Sequence, residues 1–171
     1  MGFLDFLKGK GGEPEQASAT FPAILGAPAQ GAFVAMDQIP DEVFSTGVLG
    51  PCCGVEPDTG NVYAPISGKV TQVADTLHAV GLESGGMELL VHCGVDTVDM
   101  KGQGFTMLVK EGQEVKKGDP LLTMDLEVVK GAGHPITIIT AVTNSDDFAG
   151  VEQVKTGPVQ PGDEVLKVSK K

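Results

Sequence analysis

The sequence lacks long apolar runs, a surplus of positive charge and a dense set of cysteines. No stretch approaches the roughly 18 consecutive apolar residues of a membrane-spanning helix. The start has no basic segment followed by a long apolar run, so no secretory signal is visible. Lysine plus arginine number 12 against 23 aspartates and glutamates, a formal net charge of −11. So acidic a chain is a poor candidate for binding nucleic acid or an anionic membrane through charge.

The cysteines do not form a disulfide framework. The chain has three of them, Cys52, Cys53 and Cys93. Adjacent cysteines pair only with strain, and an odd number cannot pair completely. Reduced cysteines indicate a reducing compartment, the cytoplasm. No CxxC motif or ladder of cysteine and histidine ligands is present, so a structural zinc site is not predicted.

What the sequence does have is frequent chain breaks. It contains 24 glycines and 11 prolines in 171 residues. From Phe21 onward these recur at intervals of roughly 8–12 residues, which is typical of many short strands and leaves little room for long helices. Apolar and β-branched stretches between them predict strands. The predicted strands are 32–36, 69–73, 79–82, 87–91, 106–109, 121–124, 136–142 and 165–168, and helical turns are predicted at 41–44 and 125–129, the second ending at Gly131.

The pattern predicts an all-β domain, a sandwich or barrel-like fold, with short helical turns. Its length suits one domain with a sizeable core. We expect that domain to cover 21–171. Residues 1–20 read as a flexible N-terminal segment, whose apolar start is typical of a weak amphipathic anchor and allows at most weak peripheral membrane contact. The same start favours a stand-alone subunit over a piece cut from a larger permease.

Two segments near the C-terminal end share a pattern. The runs 112–122 and 157–166 each carry a Gly-Asp pair, beginning at Gly118 and Gly162, between short apolar stretches. Glycine readily adopts the left-handed backbone that tight turns need. We interpret each run as strand, tight turn and strand; chance recurrence of ordinary hairpin chemistry is the alternative.

Two of the three histidines stand in strand-like surroundings. His78 opens one predicted strand and His92 ends the next, with the turn Ser84-Gly85-Gly86 between them. If this is an ordinary hairpin centred near residue 85, opposed positions add up to about 170, and the two histidines face each other. The alternative is a single buried histidine that donates to a carbonyl.

A histidine pair suits two kinds of chemistry. A neutral imidazole is a nucleophile whose reactive nitrogen depends on which ring atom keeps the proton, and a neighbouring imidazole can donate to a phosphoryl oxygen. The other kind is zinc, since His92, Gly94 and Asp96 match part of the signature of lysostaphin-type peptidases. That site also requires a His-x-His pair, and the sequence has none.

Several motifs resemble the glucose-class enzyme IIA of the bacterial phosphoenolpyruvate:sugar phosphotransferase system. The most specific is the segment His92-Cys-Gly-Val-Asp-Thr-Val98, followed by Lys101-Gly-Gln-Gly-Phe105. The resemblance covers roughly 21–168, and its other matching segments are 62–70, 76–81, 111–119 and 125–126.

The resemblance implies a flattened antiparallel β-sandwich that works as a phosphocarrier without a cofactor. His92 would accept the phosphoryl group, His78 would stabilise it, and Thr76 and Asp96 would support the site. The donor would be the phosphocarrier protein HPr. The acceptor would be a cysteine of a sugar-specific IIB domain within a IIB/IIC permease.

Docking needs an apolar centre from which water is excluded. We expect the face around His92 to provide that centre for HPr, with an acidic rim that attracts a basic partner. The predicted apolar contributors are Phe44, Val95 and Val98, and the predicted acidic ones are Asp41 and Asp96. The resemblance also permits a zinc site at His78 and His92 that a partner completes; in the free domain no metal is expected.

Three other functions remain as alternatives. A biotinyl or lipoyl carrier shares the Gly-Asp turns but needs an exposed lysine where this chain has Met124-Asp125-Leu126. A zinc hydrolase lacks a third ligand. A non-catalytic interaction module is the third. Phosphoenolpyruvate, enzyme I and HPr would add an acid-labile phosphoryl group only to a phosphocarrier.

Overall fold

The computed structural model describes residues 19–154 and 157–171. Strands predominate in these residues, and the helices are short. The strands are β1 (Ala23–Gly26), β2 (Gly31–Val34), β3 (Cys52–Pro57), β4 (Asn61–Tyr63), β5 (Gly68–Val73), β6 (Ala79–Ser84), β7 (Met87–Cys93), β8 (Phe105–Met107), β9 (Glu114–Val115), β10 (Pro120–Met124), β11 (Ile138–Val142), β12 (Phe148–Gln153), β13 (Pro158–Val159) and β14 (Glu164–Lys170). The α-helices are α1 (Glu42–Ser45) and α2 (Leu126–Gly131), and 3-10 turns cover Met36–Gln38, Thr97–Met100 and Ser145–Asp147.

The strands form one large and two small antiparallel sheets. The large sheet has eight strands in the order β13-β2-β3-β11-β7-β6-β5-β9, and the small sheets have the orders β1-β14-β12 and β4-β10-β8. The predicted all-β sandwich is confirmed. The barrel-like variant is not, because each strand order runs from one edge to another without closing. No helix among the described residues is long and apolar enough to cross a membrane. Of the predicted N-terminal segment, 1–20, residues 1–18 lie outside the described part of the chain.

The predicted strands at 69–73, 79–82, 87–91 and 121–124 coincide with β5, β6, β7 and β10. The prediction missed β3, whose residues are buried on both faces apart from Glu56. Strands buried on both sides lack the alternation of apolar and polar residues on which the prediction depends. Strands β1, β4 and β12 were also missed.

Three predicted strand ends were wrong. The strand at 32–36 stops at Val34 because a 3-10 turn follows, and the strand at 106–109 stops at Met107. The strand at 136–142 begins only at Ile138, and the carbonyls of Pro135 and Thr137 before it accept hydrogen bonds from Val95 and Gly94.

Both predicted helical turns exist, and aspartates begin them. Asp41 Oδ1 accepts from the N–H groups of the first turn of α1, and Asp125 Oδ1 does the same for α2. These bonds satisfy amide groups that have no partner inside the helix. Gly131, predicted to stop α2, is its last residue, and the left-handed residue after it is Gly133, with a φ of 87°.

The internal repeat is confirmed as one turn used twice. Asp119 Oδ2 accepts from the N–H of Lys116 at 2.9 Å, and Asp163 Oδ2 accepts from the N–H of Gln160 at 2.8 Å. The turns do not close hairpins. Each leads from an edge strand of the large sheet, β9 or β13, into a small sheet through β10 or β14.

Strand β7 sets the face on which the histidines lie. Its alternate residues Met87, Leu89, Val91 and Cys93 are buried in the main core between the sheets. Successive side chains of a strand point to opposite faces. His92 therefore lies on the outer face of the large sheet. A second, smaller apolar cluster covers this face and consists of Ile39, Phe44, Cys52, Ile139 and Ala141.

Candidate phosphoryl-transfer site

Two histidine rings meet where β6 and β7 end. The ring centroids of His78 and His92 are 4.8 Å apart, and the ring planes are inclined by 82°, so the rings meet edge to face. The hairpin spacing predicted this contact, but by the wrong register. Ala79, not His78, lies opposite His92. The turn between the strands is one residue shorter than assumed, because only Gly85-Gly86 separates β6 from β7.

The chain turns sharply just before His78. Leu77 has a φ of 63°, a left-handed conformation that is uncommon for residues other than glycine. Because His78 precedes the first residue of β6, the alternation of the strand does not fix its direction. Its ring therefore reaches the face that carries His92, while its carbonyl accepts from the N–H of Cys93 at 2.8 Å.

A backbone carbonyl fixes the proton of His92. The ring atom Nδ1 lies 2.9 Å from the carbonyl oxygen of Gly94. A carbonyl only accepts, so Nδ1 must carry the proton and Nε2 keeps a free lone pair. Gly94 has a φ of 78°, and a Cβ there would approach Cγ2 of Thr97 to 2.4 Å. Only glycine therefore allows this carbonyl to turn toward the ring.

Thr76 holds the other ring. Its Oγ1 lies 2.7 Å from Nδ1 of His78. With both Nδ1 atoms engaged, the Nε2 atoms of His78 and His92 are the ring nitrogens left for a ligand. If the Thr76 hydroxyl donates, Nε2 of His78 carries the proton and is a hydrogen-bond donor.

Burial keeps both rings neutral at pH 7. Desolvation, and secondly the neighbouring His78 ring, lower the pKa of His92 to about 4. The hydrogen bond to Gly94 and the charges of Asp41 and Asp96 act in the opposite direction without cancelling this shift. Desolvation also lowers the pKa of His78, and a hydrogen bond to the backbone of Thr76 opposes this shift. Neutral imidazole is the form that attacks phosphorus.

The two predicted acidic residues stand near the pair in different ways. Asp41 is engaged as the N-cap of α1, which fixes the position of the adjacent Phe44. Asp96 is left-handed, with a φ of 61°, and precedes the 3-10 turn Thr97–Met100 without capping it. Both carboxylates act on the charge of the His92 ring. The Asp96 carboxylate, unlike that of Asp41, does not cap a helix.

The predicted apolar contributors differ in exposure. Phe44 contacts the site, since its ring centroid is 5.0 Å from that of His92. However, Phe44 and Val95 are each only 4% exposed, whereas Val98 is 51% exposed. Phe44 and Val95 are therefore part of the packing beneath the site, whereas Val98 exposes apolar surface to solvent.

Other exposed groups near these residues were not predicted from the sequence. Val43, Val48 and Leu49 are exposed apolar residues in and after α1, next to Phe44. A groove on the same sheet is lined by Leu90 and by the acidic residues Glu83 and Glu88. The sequence offered a signal for Glu88, because Glu88 and His92 occupy alternate positions of the strand Met87–Cys93 and therefore share a face.

The cysteines are buried thiols with raised pKa values. All three are free and buried. Burial raises the pKa of Cys53 and of Cys93 to about 12, and burial and Asp41 raise that of Cys52 to about 11. The Cys52 thiol donates to the carbonyl of Phe44 at 3.3 Å. Within the described residues, no three histidine, cysteine or acidic side chains are grouped so as to hold a metal ion.

Comparison with known proteins identifies the family. Residues 23–148 match the model of a family described as "phosphoenolpyruvate-dependent sugar phosphotransferase system, EIIA 1". The chain belongs to this family. A glucose-specific EIIA component of Halalkalibacterium halodurans is 38% identical over 152 residues, which are 88% of this chain and 88% of that protein. The glucose-class resemblance of the sequence is thus confirmed.

Longer relatives and a solved structure agree. The beta-glucoside-specific EIIBCA component of Bacillus subtilis is 41% identical over 147 residues, 85% of this EIIA chain and 24% of that protein. The chain spans about a quarter of the length of this relative. The solved glucose permease IIA from Mycoplasma capricolum superposes with a TM-score of 0.75 at 36% identity, covering 84% of this chain and 94% of that one.

Proposed function

We propose that this EIIA chain carries a phosphoryl group on Nε2 of His92. The observation that supports it most strongly is the bond from Nδ1 of His92 to the Gly94 carbonyl, which leaves Nε2 as the free nucleophilic atom. The neutral ring and the adjacent His78 suit the same chemistry. As a glucose-class EIIA component, the chain is a phosphotransferase of the sugar phosphotransferase system.

The phosphoryl donor is the histidine-phosphorylated form of HPr. The N–P bond of HPr breaks while a new bond forms between phosphorus and Nε2 of His92, and no proton is transferred. Nε2–H of His78, with Nδ1 accepting from Thr76, donates to a phosphoryl oxygen. In the second transfer, a cysteine thiolate of a sugar-specific IIB domain attacks phosphorus, and Nε2 leaves with its lone pair.

The partner-binding surface lies around the pair. Its apolar part contains Val98 together with Val43, and its acidic part contains Asp41 and Asp96 near the rings, with Glu83 and Glu88 farther along the same sheet. Acidic charge there attracts a basic partner and speeds encounter. The relatives whose names join EIIB, EIIC and EIIA components support a sugar-specific IIB/IIC permease as the second partner.

The remaining parts of the proposal concern organisation and place. Residues 21–171 form the EIIA domain, and residues 1–20 precede it as a segment for weak peripheral membrane contact. The protein acts in the cytoplasm, where free buried cysteines remain reduced.

The test is phosphoryl transfer in a defined mixture. Phosphoenolpyruvate, enzyme I and HPr should add one acid-labile phosphoryl group, detected by mass, and His92→Ala should accept none. The label should then pass to a IIB domain from a panel. Normal labelling of His92→Ala would overturn the assignment. An acid-stable mass would indicate a biotinyl or lipoyl carrier instead.

A further inference from the structure

The carbonyl that holds His92 is itself held by the segment before β11. The N–H of Gly94 donates to the carbonyl of Thr137 at 2.8 Å, and the N–H of Val95 donates to the carbonyl of Pro135 at 3.0 Å. The second of these N–H groups belongs to the same peptide unit as the Gly94 carbonyl. The position of the oxygen that binds Nδ1 of His92 therefore depends on where residues 135–137 lie.

A side-chain hydrogen bond ties this segment to β3. The hydroxyl of Thr137 donates to Oε1 of Glu56 at 2.9 Å. Ile138 pairs with Val55, so Thr137 and Glu56 are the next cross-strand neighbours. Thr137 is 1% exposed. Its methyl group covers Gly54, where an added Cβ would approach Cγ2 of Thr137 to 2.9 Å.

We propose that Glu56 and Thr137 are positioning residues for the phosphoryl acceptor. They hold the Gly94 carbonyl in place, and through it they select the His92 tautomer that has its proton on Nδ1. This inference rests on the proposed function, because it gives His92 the role of acceptor.

The pair acts through geometry rather than through charge. The carboxylates whose charge acts on the His92 pKa are those of Asp41 and Asp96. Glu56 is connected to the ring through Thr137 and the Gly94 peptide. In a neutral imidazole, the hydrogen bond of one nitrogen decides which nitrogen is protonated. Loosening the Gly94 carbonyl therefore moves protons from Nδ1 to Nε2 and removes the nucleophilic lone pair.

Two substitutions of Thr137 separate positioning from packing. Thr137→Val keeps the shape over Gly54 and loses the hydroxyl, whereas Thr137→Ser keeps the hydroxyl and loses the methyl group. The readout is the tautomer ratio of His92, from the 15N shifts of its ring nitrogens in the unphosphorylated protein. We expect Thr137→Val to lower the ratio of the Nδ1–H to the Nε2–H form by about three- to tenfold, the effect of one hydrogen bond.

The conservative variant Thr137→Ser should show the opposite pattern of tautomer ratio and stability. Thr137→Ser should keep the tautomer ratio of the wild type while its unfolding midpoint in urea falls. Thr140, on the strand that follows, offers a matched control, because it is fully buried and its Oγ1 has no hydrogen-bond partner among the described residues. Thr140→Val should leave the tautomer ratio unchanged. Should Thr137→Val fail to fold, Glu56→Ala, at an exposed position, tests the same bond and should shift the ratio in the same direction.

A wild-type ratio in Thr137→Val, or in Glu56→Ala, would overturn the proposal. So would an equal shift in Thr137→Ser or Thr140→Val, which would indicate general loosening. The tautomer is measured without phosphoryl transfer. If His92 failed to accept phosphate, the proposed function would be wrong, but the measured tautomer ratios would still stand. If the ratios did not shift, the positioning proposal would be wrong, but the proposed function would still stand.

Discussion

The ring of His92 lies against the ring of His78, although the residue opposite His92 in the sheet is Ala79. The contact exists because His78 precedes β6 and follows a left-handed residue. One histidine therefore belongs to a rigid strand and the other to the turn before it. This division suits their proposed roles, a fixed acceptor and a partner that adjusts to the phosphoryl group.

The role of His78 predicts a selective defect. His78→Gln keeps a hydrogen-bond donor beside the phosphoryl group, so it should accept phosphate from HPr at close to the normal rate. Transfer onward should slow by about 100-fold, because the amide is a less well oriented hydrogen-bond donor to the phosphoryl oxygen than the imidazole. Rapid-quench measurement of both transfers checks this. Labelling of His92→Ala together with no labelling of His78→Ala would reverse the two assignments.

Acid should destabilise the folded protein through His92. Its pKa falls from 6.5 to about 4 on folding, so between these values the unfolded chain binds more protons. Stability is then present above pH 6.5 and is lost as the pH falls toward 4. At pH 4.5 the loss from this ring is about 2 kcal/mol.

Urea denaturation at pH 7 and pH 4.5 measures that loss. His92→Gln removes the titrating ring, so its stability should fall by about 2 kcal/mol less over the same interval. Ring NMR shifts should show the His92 midpoint near pH 4. A midpoint near 6.5 would contradict the desolvated environment described here.

Gly94 should tolerate no side chain. In Gly94→Ala the added Cβ meets Thr97 at 2.4 Å and the Pro135 carbonyl at 3.1 Å, at a φ of 78°. We expect a loss of about 3 kcal/mol in the free energy of unfolding and a shifted His92 tautomer. Gly86→Ala is the matched control, because its φ is 89° and nothing lies within 4 Å. It should lose only about 1 kcal/mol. Equal losses in the two variants would show that backbone strain alone, and not the contact with Thr97, causes the loss of stability.

Docking should respond to charge at exposed apolar positions. Val98→Asp should raise the Kd for HPr about tenfold, because it places a charge in the apolar part of the interface. Leu108→Asp, at a residue 48% exposed after β8 in a small sheet, should leave that Kd unchanged. Calorimetric titration measures both. Equal weakening would point to net charge rather than to a docking surface.

Burial changes how Phe44 should be tested. At 4% exposure, Phe44→Asp places a charge in the outer apolar cluster, so it should destabilise the domain by about 3 kcal/mol. The predicted role of an apolar contributor to HPr docking therefore suits Val98 better than Phe44. Phe44→Leu keeps an apolar side chain of somewhat smaller volume, so it should retain the fold while weakening the contact with His92.

Zinc should bind weakly to the free domain and compete with phosphate. Two Nε2 atoms supply only part of a tetrahedral site, and a partner carboxylate would complete it. Zinc and phosphorylation use the same nitrogen of His92. A titration should show a Kd above about 1 μM for the free domain and no detectable binding after phosphorylation. Sub-micromolar binding, or equal binding by both forms, would show a metal site.

The sequence by itself indicated the family, the fold class and the residues proposed for the chemistry. Those features depend on local patterns: the motif from His92 to Val98, the regular glycine and proline breaks, and the Gly-Asp turns. The sequence also predicted that the two histidines lie close together, because hairpin spacing is a local quantity. The register was wrong by one residue, since turn length depends on how two glycines close the chain.

Tertiary structure decided what depends on neighbours distant in the sequence. The free nitrogen of His92 depends on the Gly94 carbonyl, whose place is fixed by residues 135–137 more than 40 positions later. Exposure separated Val98 from the buried Phe44 and Val95, because a sheet face and its covering cluster form only when distant strands meet. An apolar side chain is suited to burial, but the packing of the fold determines which apolar side chains are buried.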